Sequence, residues 1–240
     1  ARGGGGPVLA GDVAGAGVPS VSLRGAAQPP GGRGGALARA LGPDQPTLIV
    51  HPHGLAGDAV PETIEAMAAD RLRAVQAIRP AGPYVIGGHC NGALVAFEMA
   101  RQLIARGETV AAVVAIESRA PRPGGPQAED GAYVKLDAAG RAAPLLPVSR
   151  ATDAELRYTR AIDRYEGGRC DAHLVVIQAH EWRDPAPDAG WSRFARTWEG
   201  HVLPGGHVTL ITRYLPDLAR TIRDAVARAT RPQRGEPERV

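Results

Sequence analysis

Cysteine is almost missing: Cys90 and Cys170 are the only two in 240 residues, with no CxxC pair and no metal-ligand spacing. That argues against a disulfide scaffold and a bound metal and for a reducing compartment. There is no charged-then-apolar segment of signal-peptide type and no apolar run of about 18 residues, so a soluble, cytoplasmic protein away from any membrane is expected. An excess of one charge is lacking too, since 28 Lys and Arg against 25 Asp and Glu leave +3. The arginines form no block; Arg71, Arg73, Arg101, Arg160 and Arg164 are scattered at helix positions, and the basic tail Arg231-Pro232-Gln233-Arg234 is short. A mixed-charge surface fits this better than a nucleic-acid face. Aromatics are only 4%, and the wealth of Ala, Gly, Arg and Pro looks like that of a GC-rich bacterial genome.

What is present is a 44% hydrophobic chain whose length suits one large α/β domain. Residues 1–17, rich in Gly and Ala without a period, read as a linker, and the start at a glycine run without Met suggests a domain cut from a longer polypeptide. Residues 18–240 are expected to form the domain. Strands are expected at 19–23, 47–50, 84–86, 110–116, 173–179 and 200–203. Helices are expected at 36–41, from Pro61 through Arg79, and at 93–105, 154–165 and 216–229. Ile64, Met67, Leu72, Val75 and Ile78 make one apolar stripe on the second helix. Strands alternating with helices predict a mostly parallel, doubly wound sheet.

Gly88-His89-Cys90-Asn91-Gly92 lies between a strand and a helix. In Gly-x-Nuc-x-Gly the nucleophile stands on a strained strand-to-helix turn, and the glycines keep that turn narrow. The bland reading, a glycine-rich turn with a buried structural thiol, fits the flanks less well. The pattern predicts an α/β-hydrolase fold with Cys90 as nucleophile, its thiolate favoured by the helix N-terminus and a nearby histidine. Hydrolase-fold partners follow in the order acid, then base. Glu117 ends the strand 110–116, at the carboxyl edge where sites of open α/β sheets form; Glu181 and Asp184 are its competitors. His207, in Pro204-Gly205-Gly206-His207 before the last helix, is the candidate base. His89 is expected to be buried beneath the elbow; His51, His53, His173, His180 and His201 read as structural.

With these residues in hand, the chain resembles the type I thioesterase domains that end nonribosomal peptide and polyketide synthetases. The densest stretch runs from Gly82-Pro83-Tyr84-Val85-Ile86-Gly87 through the elbow into Ala96-Phe97-Glu98-Met99-Ala100-Arg101-Gln102-Leu103. Leu37-Ala38-Arg39-Ala40-Leu41, Gly42-Pro43-Asp44-Gln45-Pro46, Pro52-His53-Gly54-Leu55, Ile64-Glu65-Ala66-Met67-Ala68 and Gly205-Gly206-His207 are also similar. The resemblance implies that the acid is Glu117, where the family usually has Asp. It implies an oxyanion hole from the backbone N–H of Asn91 and one near Ala26, in a loop, Arg24-Gly25-Ala26-Ala27-Gln28, without the family's usual histidine. It also implies a mobile lid over about 119–163.

The same resemblance implies a substrate delivered on the 4'-phosphopantetheine of an upstream carrier protein, with no cofactor of the domain's own. A minority of these domains use cysteine, some in monobactam and β-lactone assembly lines that close four-membered rings. The expected activity is transfer of a peptidyl or acyl chain to Cys90, then cyclisation or hydrolysis. Rival expectations are a free-standing editing thioesterase, a cysteine-type small-ester or lactone hydrolase, and a catalytically silent binding module of the same fold.

Overall fold

In the computed structural model, which describes residues 20–23, 33–54, 58–122, 135–136, 142–143, 153–182 and 184–230, six strands form one parallel sheet. They are β1 (Ser20–Leu23), β2 (Thr47–Val50), β3 (Tyr84–His89), β4 (Val110–Ile116), β7 (Cys170–Ala179) and β8 (Ala195–Leu203), in the order β2-β1-β3-β4-β7-β8. A separate antiparallel pair joins β5 (Lys135–Leu136) to β6 (Ala142–Ala143). The helices are α1 (Arg33–Leu41), α2 (Ile64–Ile78), α3 (Gly92–Ala105), α4 (Asp153–Arg164) and α5 (Leu215–Ala229). The expected linker, Ala26 and most of the expected lid lie outside the described residues.

Side chains alternate across a strand, so a sheet covered on both faces needs an unbroken apolar run in each central strand. Ile86, Val113, Ala115, Leu174 and Val176 point into one core with α2, α3 and α4. Val85, Ala112, Val114, Ile116, Val175 and Ile177 point into the other, with α1 and α5. Two cores, one on each face, make the doubly wound α/β-hydrolase architecture. α3 is apolar nearly all round because it lies between the sheet and α2. Its buried Glu98 is offset by Arg101 (2.6 Å) and the Tyr165 hydroxyl, which donates to it at 2.8 Å.

Several boundaries differ from the expectation, each for a physical reason. α2 starts at Ile64 rather than Pro61, because the Thr63 hydroxyl accepts the Ala66 N–H (3.1 Å) and so supplies the cap. Ile78, expected in the buried stripe of α2, is exposed at the helix end. β3 runs past Ile86 through Gly87 and Gly88 to His89, because neither glycine has a positive φ and the chain does not turn until Cys90. β8 begins at Ala195, five residues before the expected Gly200; as the sheet's last strand it carries Arg196, Thr197 and Glu199, so no apolar run marks it. Residues 119–122 open the expected lid yet are held to the body: the Ala120 N–H donates to the Ala189 carbonyl (3.0 Å), and Arg193 donates to the Pro121 carbonyl (2.7 Å).

After β2, the His53 N–H donates to the Tyr158 hydroxyl of α4 (2.8 Å) while its Nε2 meets Asp70 of α2 at 2.9 Å. Burial, helped by Arg71, holds His53 below its ordinary range against the opposing pull of Asp70.

The elbow sets the tightest steric limit. A Cβ on Gly88 would stand 2.2 Å from both the carbonyl carbon and oxygen of Gly92. Gly88→Ala is therefore expected to destabilise the fold by about 3 kcal/mol or more, read as a lowered unfolding midpoint in denaturant; a variant as stable as the parent would contradict this packing.

Candidate active site

The site is built on three chain segments at the carboxyl edge of the sheet. Cys90 follows β3 with a left-handed φ of +56°, and its N–H donates to the Ile116 carbonyl at 2.8 Å. This is the strained turn that the elbow pattern calls for, costing about 1–3 kcal/mol in a non-glycine residue. It lifts the thiol to a half-buried position at the N-terminus of α3, where the helix dipole favours negative charge. The Cys90 thiol lies 3.8 Å from the Asn91 side-chain oxygen.

Glu117 follows β4 in the same way. Its φ is +51°, its N–H donates to the Ile177 carbonyl (2.8 Å), and its side chain is 1% exposed. One carboxylate oxygen accepts the Ala179 N–H, and the other lies 3.5 Å from His207 Nδ1. That separation exceeds the 2.6–3.2 Å of a direct hydrogen bond to a general base. The longer glutamate reaches the ring while one of its oxygens is spent on β7.

His207 stands on a loop made by two glycines. Gly205 has φ +94°, and a Cβ there would meet the Thr209 hydroxyl and the Tyr214 ring at 2.6 Å. The Glu181 N–H donates to the Gly205 carbonyl (3.0 Å), and the Gly206 N–H donates to the Thr209 hydroxyl (2.7 Å). Burial pushes the imidazole towards its neutral form, but hydrogen bonding and charge from Cys90 and then Glu117 outweigh it, raising His207 from 6.5 to about 9. The structure thus brings Cys90, His207 and Glu117 together as thiol, imidazole and carboxylate, an arrangement suited to nucleophilic acyl transfer.

The rival carboxylates make other contacts, Glu181 beside the histidine loop itself. Asp184 pairs with Arg119 Nε at 2.8 Å. Glu181 is exposed, and its carboxylate lies where a Cβ on Gly206 would meet it at 2.9 Å. Asn91 sits directly after the nucleophile position at the start of α3, and Ala26 falls outside the described residues. His173 accompanies Thr197 (2.9 Å), and His201 lies 3.4 Å from Glu199. Two features escaped sequence reasoning. One is the bond from the Ala179 N–H to Glu117, which no local pattern encodes. The other is the contact of His89 with His207: His89 is buried as expected, but its ring centroid is also 4.4 Å from that of His207. Its place next to the nucleophile was the available signal. Among the described residues, no group of three His, Cys, Asp or Glu could hold a metal ion, and no helix is long and apolar enough to cross a membrane.

The fold defines an α/β-hydrolase. Residues 35–226 match the thioesterase domain family, and the chain belongs to it. It is similar to erythronolide synthase EryA3 of Saccharopolyspora erythraea, 28% identical over 174 residues, 69% of this chain and 5% of that protein. Over 59 residues it is 44% identical to orsellinic acid synthase of Emericella nidulans, 25% of this chain and 3% of that one. The chain thus spans only a few hundredths of the length of the curated relatives it matches.

Among solved structures, holo-AB3403, a four-domain nonribosomal peptide synthetase, aligns with TM-score 0.69 and 26% identity over 88% of this chain and 19% of that one. The NocB thioesterase domain in covalent complex with a fluorophosphonate nocardicin G analogue shares the fold, with TM-score 0.65 and 24% identity over 89% of this chain and 96% of that chain.

Folding raises His207 above its ordinary value, so the folded chain holds this proton more tightly than the unfolded one. That stabilisation is complete below pH 6.5 and lost as pH rises through about 9. Turnover that needs the protonated imidazole should fall on the same alkaline limb, measured as kcat/KM against pH. Glu117→Gln should lower kcat on the order of a hundredfold with little change in melting temperature, whereas Asp184→Asn should leave kcat near that of the parent. The reverse ranking would make Asp184 the acid.

Proposed function

We propose that this domain releases a peptidyl or acyl chain from an upstream carrier protein, with Cys90 as nucleophile, His207 as base and acid, and Glu117 as the acid of the triad. The observation that carries the reading is the thiol on the strained elbow, within hydrogen-bonding reach of an imidazole raised to about 9, in a chain of the thioesterase domain family. The carrier presents its thioester on a phosphopantetheine arm, which is substrate and not a resident cofactor. The Cys90 thiolate attacks the carbonyl carbon, and the tetrahedral oxyanion is met by the Asn91 N–H and, by resemblance, by an N–H near Ala26. As the carbon–sulfur bond to the arm breaks, His207 gives its proton to the departing thiolate. Glu117 charge-stabilises and orients the ring during this transfer.

One thioester has replaced another, so most of the acyl-transfer potential survives. Acylation also removes the thiolate that helps raise His207, so the imidazole returns towards its ordinary value and can act as a base. It then takes a proton from an internal amine, an internal hydroxyl or water as that group attacks, and Cys90 leaves as thiolate. A thioester is a better donor to amines than an oxoester, which supports cyclisation, including closure of a strained lactam or lactone, as an outcome alongside hydrolysis. The cysteine at the elbow supports reading the chain as one of the cysteine-using minority of these release domains.

Incubation with an acyl N-acetylcysteamine thioester should add one acyl group to Cys90 by intact-protein mass, and Cys90→Ala should abolish turnover. Cys170 should stay unmodified, since it is 3% exposed and burial pushes its thiol up to about 11. Cys90→Ser should keep the fold while changing the ratio of cyclised to hydrolysed product. An adduct on Cys170, or full turnover in Cys90→Ala, would refute the nucleophile. Comparing free with carrier-tethered thioesters tests the partner: no preference for the tethered form would point to a small-ester hydrolase instead.

A further inference from the structure

We propose that His89, the residue before Cys90, is a positioning residue for His207, an inference that rests on the Cys90–His207 reading above. His89 is the last residue of β3, in register with Ile116 of β4, and is buried beneath the elbow at 6% exposure. It touches His207 in two ways. Its Nε2 lies 3.2 Å from the His207 carbonyl oxygen, and the two ring centroids are 4.4 Å apart with planes tilted by 35°. A carbonyl oxygen can only accept, so Nε2 carries the proton and donates it. The hydrogen bond holds the backbone of His207, and the ring face limits the swing of its imidazole.

His207 needs such support. It belongs to no helix or strand, follows two glycines of which one has a positive φ, and has a side chain 29% exposed. The end of β3, directly before Cys90, supplies that support through His89. Thiol and imidazole are therefore both set from consecutive residues of one strand end. A small error in their separation is costly, because a 1 Å misplacement costs on the order of a hundredfold in rate. His89 is too buried to meet the substrate as the reacting group, so it acts through His207.

The test is the rate of Cys90 alkylation by iodoacetamide across a pH series, followed by intact-protein mass, with kcat and KM for an acyl N-acetylcysteamine thioester measured in parallel. His89→Ala removes ring and donor; His89→Phe keeps ring and bulk but loses the donor; His207→Ala is the reference. Alkylation at neutral pH should slow on the order of tenfold in His89→Ala and by less in His89→Phe, with both pH profiles displaced towards that of His207→Ala. kcat should fall while KM holds. If His89→Ala does not fold, His89→Phe decides alone. Profiles superimposable on the parent, with only the melting temperature lowered, overturn the positioning role while leaving Cys90 and His207 in place. A His207→Ala variant that alkylates and turns over like the parent defeats the underlying reading, and this proposal with it.

Discussion

The site hangs on a row of backbone hydrogen bonds along the carboxyl edge of the sheet. The Cys90 N–H is held by the last carbonyl of β4, Ile116, and the Glu117 N–H by the Ile177 carbonyl of β7, each at 2.8 Å. Both residues are the first beyond their strands and both turn with positive φ, so their side chains leave the sheet at the same level. Each strained turn costs about 1–3 kcal/mol and persists because the strands beneath it are packed on both faces. The carboxylate of Glu117 then takes the Ala179 N–H, tying a third strand end into the row. Remove the parallel register of β3, β4 and β7, and no pair of these groups keeps its separation.

Charge works within that frame. A carboxylate whose side chain is 1% exposed would cost several kcal/mol if unpartnered, and here one oxygen is spent on a peptide N–H while the other faces an imidazole. Hydrogen bonding and charge from Cys90, then from Glu117, raise His207 to about 9 despite the burial that opposes it. The rival carboxylate at Asp184 makes a tight pair with Arg119 instead, so one acidic group is committed to structure and the other to the imidazole.

Much of this was legible along the chain. Val110–Ile116 and Thr47–Val50 are strands with the very bounds that their apolar runs suggest, because a strand in this sheet needs those runs to fill the cores it faces. The elbow could be read because Gly88 and Gly92 answer to one contact between neighbours in sequence. β8 could not be read to its true start, because the last strand of the sheet tolerates Arg196 and Glu199 and so loses the apolar signature. The start of α2 was misjudged because Pro61 and Thr63 both resemble helix openings, and the hydrogen bond that chooses Thr63 forms only in the folded backbone.

The sequence by itself determined the alternation of strand and helix, the two-sided sheet and the elbow carrying a cysteine. All of these follow from residue size, polarity and spacing within a few positions. Only the tertiary structure decided which carboxylate faces His207, that this carboxylate also holds Ala179, and that His89 lies against the imidazole 118 residues away in the chain. Those contacts join segments far apart in sequence, and their separations are set by strand order and register, which no local pattern of residues records.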